Sequence, residues 1–195
     1  MARDLPHDAG APGARAPDGG GAFAIIALCV GACVVYGVLH DQVTARIAIE
    51  HFTVLHPTIV DSTDPTVLAL LWGVIATWWV GLFGGVLLAL AARAGAWPKR
   101  SAASLMKPVA LALVLTASCA AIGGFVGRAL AGNGHLALLE PIKSRIPAER
   151  HLDVLTVIVV HNVSYVVGTV AFVVLAVTVW GARRRTKSAA AAPAA

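Results

Sequence analysis

Residues 65–92 read PTVLALLWGVIATWWVGLFGGVLLALAA, and no charged side chain interrupts them. An apolar run longer than about 18 residues is typical of a membrane-spanning segment. Such a segment must be helical, because hydrocarbon offers no hydrogen-bond partner to a backbone that does not satisfy itself. The stretch therefore predicts that this chain folds in a bilayer.

Three further runs have the same character, at residues 22–39, 108–131 and 152–180. Over its 195 residues the chain is 58% hydrophobic and only 13% charged, and its mean hydropathy is +0.79. This composition is far too apolar for a soluble domain. We predict an all-α integral membrane four-helix bundle at residues 22–181, with up-down-up-down topology. Its outer loops are expected at residues 40–64 and 132–151.

The two ends of the chain differ from the spans in composition. Residues 1–21 are rich in Pro, Gly and Asp, which predicts a disordered cytoplasmic tail and not a signal peptide. Residues 182–195 begin basic and become Ala-rich, which predicts a second cytoplasmic tail of low complexity.

Charge is distributed unequally between the loops. The loop after the second span carries the basic residues Arg93, Lys99, Arg100 and Lys107 and no acid, whereas the first outer loop is mainly acidic. Basic loops stay in the cytoplasm, so we expect both termini there. The net charge of +5 then predicts contact with anionic headgroups of the lipid bilayer, and no nucleic-acid partner.

Small residues recur at every fourth position along the spans, as at Gly73, Thr77, Gly81 and Gly85 of the second span. Such residues let helix backbones approach closely in lipid, where no hydrophobic effect drives helices together. They predict close packing of the four helices. A homo-oligomer or a larger membrane complex built through one of these stripes remains open.

Two short motifs at the outer ends of the first and last spans mirror each other. YGVLHD places Tyr36 four residues before His40, and HNVSY places Tyr165 four residues after His161. At about 1.5 Å per residue, both histidines lie roughly 27–29 Å above the inner boundary, and residues four apart share a helix face. Polar groups within spans usually face the protein interior. We therefore expect His40 and His161 to be partners in one site.

Neutral imidazole and carboxylate are common ligands of transition metals. The candidate ligands on the periplasmic side are His40, Asp41, Glu50, His56 and His161. The residues expected to support these ligands by hydrogen bonding are Tyr36, Tyr165, Arg128 and Asn162. The hypothesis is a His/Tyr/Asp site that binds a transition metal (Zn, Fe, Cu or Mn) or a redox cofactor. The spacing matches no established metal motif and selects no ion.

The first outer loop decides whether Glu50 and His56 can reach His161. Between His40 and His56 it contains no Gly or Pro. On a straight helix His40 and His51 would lie ~16 Å apart, which is too far for one ion. We therefore interpret His51 as a solvated loop histidine and expect a bend after Asp41 or an interfacial segment.

Other functions fit the same residues. A haem can be held between His40 and His161, and a quinone or proton-relay site can use His, Tyr, Asp and Arg near the membrane surface. A small proton-coupled carrier and a non-catalytic accessory or assembly subunit of a membrane complex also remain open. The sequence leaves undecided whether the protein is an enzyme.

Four stretches, YGVLHDQVTAR, FTVLHP, LLWGVIATWWVGL and HNVSYVVG, together resemble those of a set of uncharacterised four-span bacterial membrane proteins. The resemblance covers most of residues 35–170. It implies a multi-pass protein of the bacterial inner (plasma) membrane with the same four-helix plan. It implies no activity and no functional residue.

Overall fold

The structure is a computed structural model that describes residues 19–190, with side chains described for residues 21–186. Its elements, in chain order, are α1 (Gly19–Ile47), α2 (Glu50–Thr53), α3 (Pro65–Arg93), α4 (Ala102–Gly132), α5 (Ile142–Arg145), a 3₁₀ turn (Ala148–Arg150) and α6 (His151–Ala190). The described residues contain no β-strand, so the all-α prediction is confirmed.

Within residues 19–190, four helices are long and apolar enough to cross a membrane, namely α1, α3, α4 and α6. Each is longer than the span predicted for it, because apolar composition marks only the part of a helix that lies in hydrocarbon. α1 continues past residue 39 to Ile47, and α6 continues past residue 180 to Ala190. Of the predicted tails, residues 1–18 and 191–195 lie outside the described residues.

The start of α3 is set by a local signal. The carboxylate of Asp64 accepts hydrogen bonds from the backbone N–H groups of Thr66 and Val67, at 2.7 and 3.2 Å. Pro65 occupies the first helical position, where its missing N–H costs nothing. The first outer loop therefore ends at Asp64, and α3 begins at the next residue.

α1 and α3 pack backbone against backbone through the small residues of α3. A Cβ atom added to Gly73 would lie 2.6 Å from the backbone of Val38, and one added to Gly81 would lie 2.7 Å from the carbonyl oxygen of Cys29. Residue numbers therefore fall along α1 as they rise along α3. Glycine alone permits so close an approach.

α6 joins this pair to α4. A Cβ atom added to Gly127 of α4 would lie 2.8 Å from the side chain of Val159, and one added to Gly84 of α3 would lie 2.7 Å from the ring of Phe172. α6 thus packs against both α3 and α4. The same placement brings its outer half beside α1, where the predicted site residues lie.

One arginine of the predicted C-terminal tail is buried. Arg183 is 0% exposed, and its guanidinium donates hydrogen bonds to the backbone carbonyls of Ala91, Ala94, Trp97 and Pro98. A buried charge is tolerated when its donors are satisfied in this way. Arg183 therefore fastens α6 to the end of α3 and to the following loop, a role that the sequence did not indicate.

Candidate metal centre

The C-terminal half of α1 and the N-terminal half of α6 supply a compact group of ligand atoms. The rings of His40 and His161 meet edge to face, with centroids 4.7 Å apart. His161 Nε2 lies 3.3 Å from Asp41 Oδ1, and Asp41 is only 4% exposed. One ligand atom from each of His40, Asp41 and His161 lies within 4.8 Å of the others. The structure thus brings together three of the five predicted ligands.

The proton on His161 can be assigned from its surroundings. His161 Nδ1 lies 2.9 Å from the carbonyl oxygen of Val157, and a carbonyl only accepts, so Nδ1 is the donor. In neutral imidazole Nε2 then presents a lone pair to the carboxylate of Asp41, which is also an acceptor. Two acceptors held 3.3 Å apart in a buried site require a proton or a metal cation between them.

His40 is held by a polar pair that also bridges the two helices. Its Nδ1 lies 3.4 Å from the hydroxyl of Tyr36, and that hydroxyl lies 2.9 Å from Ser164 Oγ. When Tyr36 accepts from His40 and donates to Ser164, the other ring nitrogen of His40, Nε2, presents a lone pair. Among the described residues this Nε2 is buried without a hydrogen-bond partner, so it is available to a ligand.

A third imidazole belongs to the cluster, and the sequence did not indicate it. α1 continues past Asp41 to Ile47, and the chain then turns into α2. The expected bend after Asp41 therefore lies further along the chain. The turn stacks the ring of His51 on that of His161, with centroids 4.2 Å apart. His51 is 7% exposed, so its interpretation as a solvated loop histidine is wrong.

The surroundings of His51 keep it neutral. Burial, followed by the neighbouring imidazoles of His161, His56 and His40, lowers the pKa of His51 to about 2. Neutral imidazole is the form that binds metals. The buried Phe52 beside it was the one signal in the sequence that this turn packs inward.

The other two predicted ligands have different partners. Glu50 accepts hydrogen bonds from Arg150 at 2.8 and 3.2 Å, and this contact lowers the pKa of its carboxyl. His56 Nδ1 donates to the carbonyl of His51 at 2.7 Å, and its ring lies 4.5 Å from that of Trp72. Both residues hold the first outer loop in place and lie outside the ligand group.

The four residues predicted to support the ligands also differ in what they contact. Tyr36 contacts His40 directly, as described above. Tyr165 lines a cavity next to the group and is 40% exposed. Arg128 forms an ion pair with Asp153 at 2.6 Å, and the exposed Asn162 donates to the carbonyl of Ile158. Of the four, only Tyr36 hydrogen-bonds to a ligand of the group.

Two hollows border the site. A cavity of about 60 Å³ is lined by Tyr36, Ser164 and Tyr165, as well as by the ligand group. It has room for a few water molecules. A groove of about 1140 Å³ between α1 and α4 is lined mainly by apolar side chains and also reaches Tyr36 and His40. The site therefore has a small polar hollow on one side and an apolar groove on the other.

Comparisons with models of protein families, with curated proteins and with solved structures find no match to this chain. The geometry of the site is therefore the basis for the function proposed below.

Proposed function

We propose that this chain is a multi-pass protein of the bacterial inner membrane that binds a divalent transition metal on the periplasmic side, through His40, Asp41 and His161. The observation that carries the proposal is the meeting of His161 Nε2 with Asp41 Oδ1 at 3.3 Å. Because His161 Nδ1 is committed to a backbone carbonyl, a cation between the two acceptors satisfies both at once.

The spacing between the ligand atoms of Asp41 and His161 suits a small first-row ion. Zinc binds imidazole nitrogen and carboxylate oxygen at about 2.0–2.2 Å, so neighbouring ligands in a tetrahedral site lie about 3.4 Å apart. The separation of 3.3 Å between Asp41 and His161 agrees with this value. Mixed nitrogen and oxygen ligands favour Zn, Fe, Mn or Cu over Mg or Ca.

The proposed orientation is up-down-up-down with both termini in the cytoplasm. Two observations support it. Paired contacts between α1 and α3 run in opposite directions along the two helices. The basic residues at 93–107 lie around the connection from α3 to α4, at the end of α3 opposite to the acidic first loop, as expected when positive charge stays inside.

The direct test is metal analysis of the purified protein in detergent. We expect the full chain to retain close to one equivalent of Zn²⁺ after dialysis. His40→Ala, Asp41→Asn and His161→Ala should each lower the affinity by at least about tenfold. His135→Ala is the matched control, because His135 is exposed on an outer loop. Equal metal content in all five proteins would overturn the proposal.

A second candidate is a quinone site. It is favoured by the apolar groove between α1 and α4, which is also lined by His40 and Tyr36 and is large enough for an isoprenoid tail. Extraction of the purified protein with organic solvent, followed by chromatography, would detect bound quinone. A haem between His40 and His161 is disfavoured, because ring centroids 4.7 Å apart leave no room for a macrocycle. A protein with neither metal nor quinone would point to an accessory subunit.

A further inference from the structure

His51 carries a buried nitrogen that nothing in the described structure satisfies. Its Nδ1 has no hydrogen-bond partner among the described residues, although the residue is 7% exposed. A polar atom removed from water without a partner is costly. Such an atom in a native protein needs an explanation, and a bound ion is one that the neighbouring ligand group suggests.

A second unsatisfied nitrogen lies in the same cluster of side chains. His40 Nε2 is likewise buried and without a partner in the described part of the chain. The rings of His40 and His51 both contact the ring of His161, at centroid distances of 4.7 and 4.2 Å. Two free imidazole nitrogens therefore flank the histidine whose Nε2 faces Asp41.

The contacts around His51 hold its backbone in place, and none of them occupies its Nδ1. The carboxylate of Glu50 is bound to Arg150, which also donates to the carbonyl of Ile47. On the other side, the carbonyl of His51 accepts from His56, whose ring rests on Trp72. These contacts hold the loop from outside the cluster and leave the imidazole of His51 uncommitted at Nδ1.

We propose that His51 is the fourth ligand of the ion bound by His40, Asp41 and His161. Its nitrogens lie outside the three-residue group, so the ring turns about its side-chain bonds when the ion binds. Three imidazoles and one carboxylate make a closed four-coordinate site. Such a site selects ions that accept tetrahedral geometry, Zn²⁺ and Co²⁺ above all, over Mg²⁺ and Ca²⁺.

This inference rests on the proposed function, and Co²⁺ separates the two. Co²⁺ in a tetrahedral site absorbs visible light intensely, and in a site of higher coordination number it absorbs weakly. Titration of the full chain in detergent with Co²⁺ should produce the intense spectrum. His51→Ala should still bind Co²⁺, with an affinity lower by about tenfold and a weaker spectrum, because the opened site admits more than one water molecule and the coordination number of the ion rises above four.

His135→Ala is the control, because it removes an imidazole that is exposed and lies outside the cluster. It should keep the intense spectrum. His51→Gln serves as a second variant if His51→Ala does not fold, and we expect the same weak spectrum from it. If the spectrum and the affinity were unchanged in the His51 variants, the proposed role of His51 would be overturned, and the three-residue metal site would not be. Failure of the wild-type chain to bind Co²⁺ and Zn²⁺ would overturn the metal site itself.

Discussion

The guanidinium of Arg150 donates to both carboxylate oxygens of Glu50, at 2.8 and 3.2 Å, across 100 residues of chain. The same guanidinium donates to the carbonyl of Ile47, the last residue of α1, and to Asp153. Glu50 opens α2, so this contact fixes the turn that carries His51 onto His161. Glu50, predicted as a ligand, thus serves the site by holding its neighbour.

The ion pair predicts a pH dependence of stability. Arg150 lowers the pKa of Glu50 below its ordinary value of 4.5, so the stabilisation is fully present above pH 4.5 and is lost as pH falls through the lowered pKa. The pair is partly exposed, so it contributes roughly 1 kcal/mol. The test is to measure the melting temperature of the metal-free protein between pH 6 and pH 3, a range of about 1 to 2 units on either side of the ordinary carboxyl pKa. As the pH falls, the melting temperature should decrease more steeply for the wild type than for Glu50→Gln.

Glu149→Gln is the control for this measurement, since Glu149 is exposed and adjoins Arg150 without the hydrogen bonds that Glu50 makes. Its acid profile should match that of the wild type. If the melting temperature depended on pH in the same way for all three proteins, the stabilising role of the Glu50–Arg150 ion pair would be contradicted.

The two mirrored tyrosines should differ in their effect on metal binding. The hydroxyl of Tyr36 contacts His40 and Ser164, so Tyr36→Phe removes a group that orients a ligand and should weaken Zn²⁺ binding by about tenfold. Tyr165 is 40% exposed, and Tyr165→Phe should change the affinity little. Competition with a chromogenic chelator would measure both constants. An equal effect of the two substitutions would argue against the role assigned to Tyr36.

Close packing of α1 and α3 predicts that Gly81 cannot be enlarged. A Cβ atom there would lie 2.7 Å from a backbone oxygen of α1, and backbone cannot rotate away, so Gly81→Ala should cost about 1–3 kcal/mol. Gly31→Ala is the control, because a Cβ at Gly31 meets nothing within 4 Å. Thermal unfolding in one detergent gives the comparison. A melting temperature for Gly81→Ala equal to that of Gly31→Ala would contradict the packing.

Removal of Arg183 should destabilise the inner end of the bundle. Arg183→Ala leaves four backbone carbonyls without their donor and should cost on the order of 3 kcal/mol. Arg185→Ala removes a neighbouring exposed charge and should be close to neutral. Denaturant or thermal unfolding would measure the difference. Equal stability of the two variants would mean that the burial of Arg183 contributes nothing.

Cysteine labelling can test the proposed orientation. Thr63 in the first outer loop and Lys99 in the loop before α4 are both exposed. In intact cells, a thiol reagent that does not cross membranes should label Thr63→Cys and leave Lys99→Cys unlabelled, because basic loops stay in the cytoplasm. The opposite pattern would reverse the orientation and place the metal site on the cytoplasmic side.

The four apolar helices and the position of His40 and Asp41 at one end of the first helix could be predicted from the sequence. These depend on local properties, namely the length of an apolar run and the four-residue period of a helix face. The pairing of His40 with His161 followed from the same periodicity, together with the assumption that α1 and α6 are neighbours.

The roles of His51, Glu50 and Arg183 could not be predicted from the sequence and follow from the packing of the helices. Each depends on where the chain turns and on which distant residue it then meets: His51 contacts α6, Glu50 meets Arg150 and Arg183 reaches the end of α3. Apart from the apolar Phe52, the local sequence does not mark such a meeting. The turn after Ile47 contains no Gly or Pro, and the letter for a charged residue is the same whether its side chain is solvated or paired. Contacts between residues far apart in the chain are set by the packing of whole helices, and that packing appears only in three dimensions.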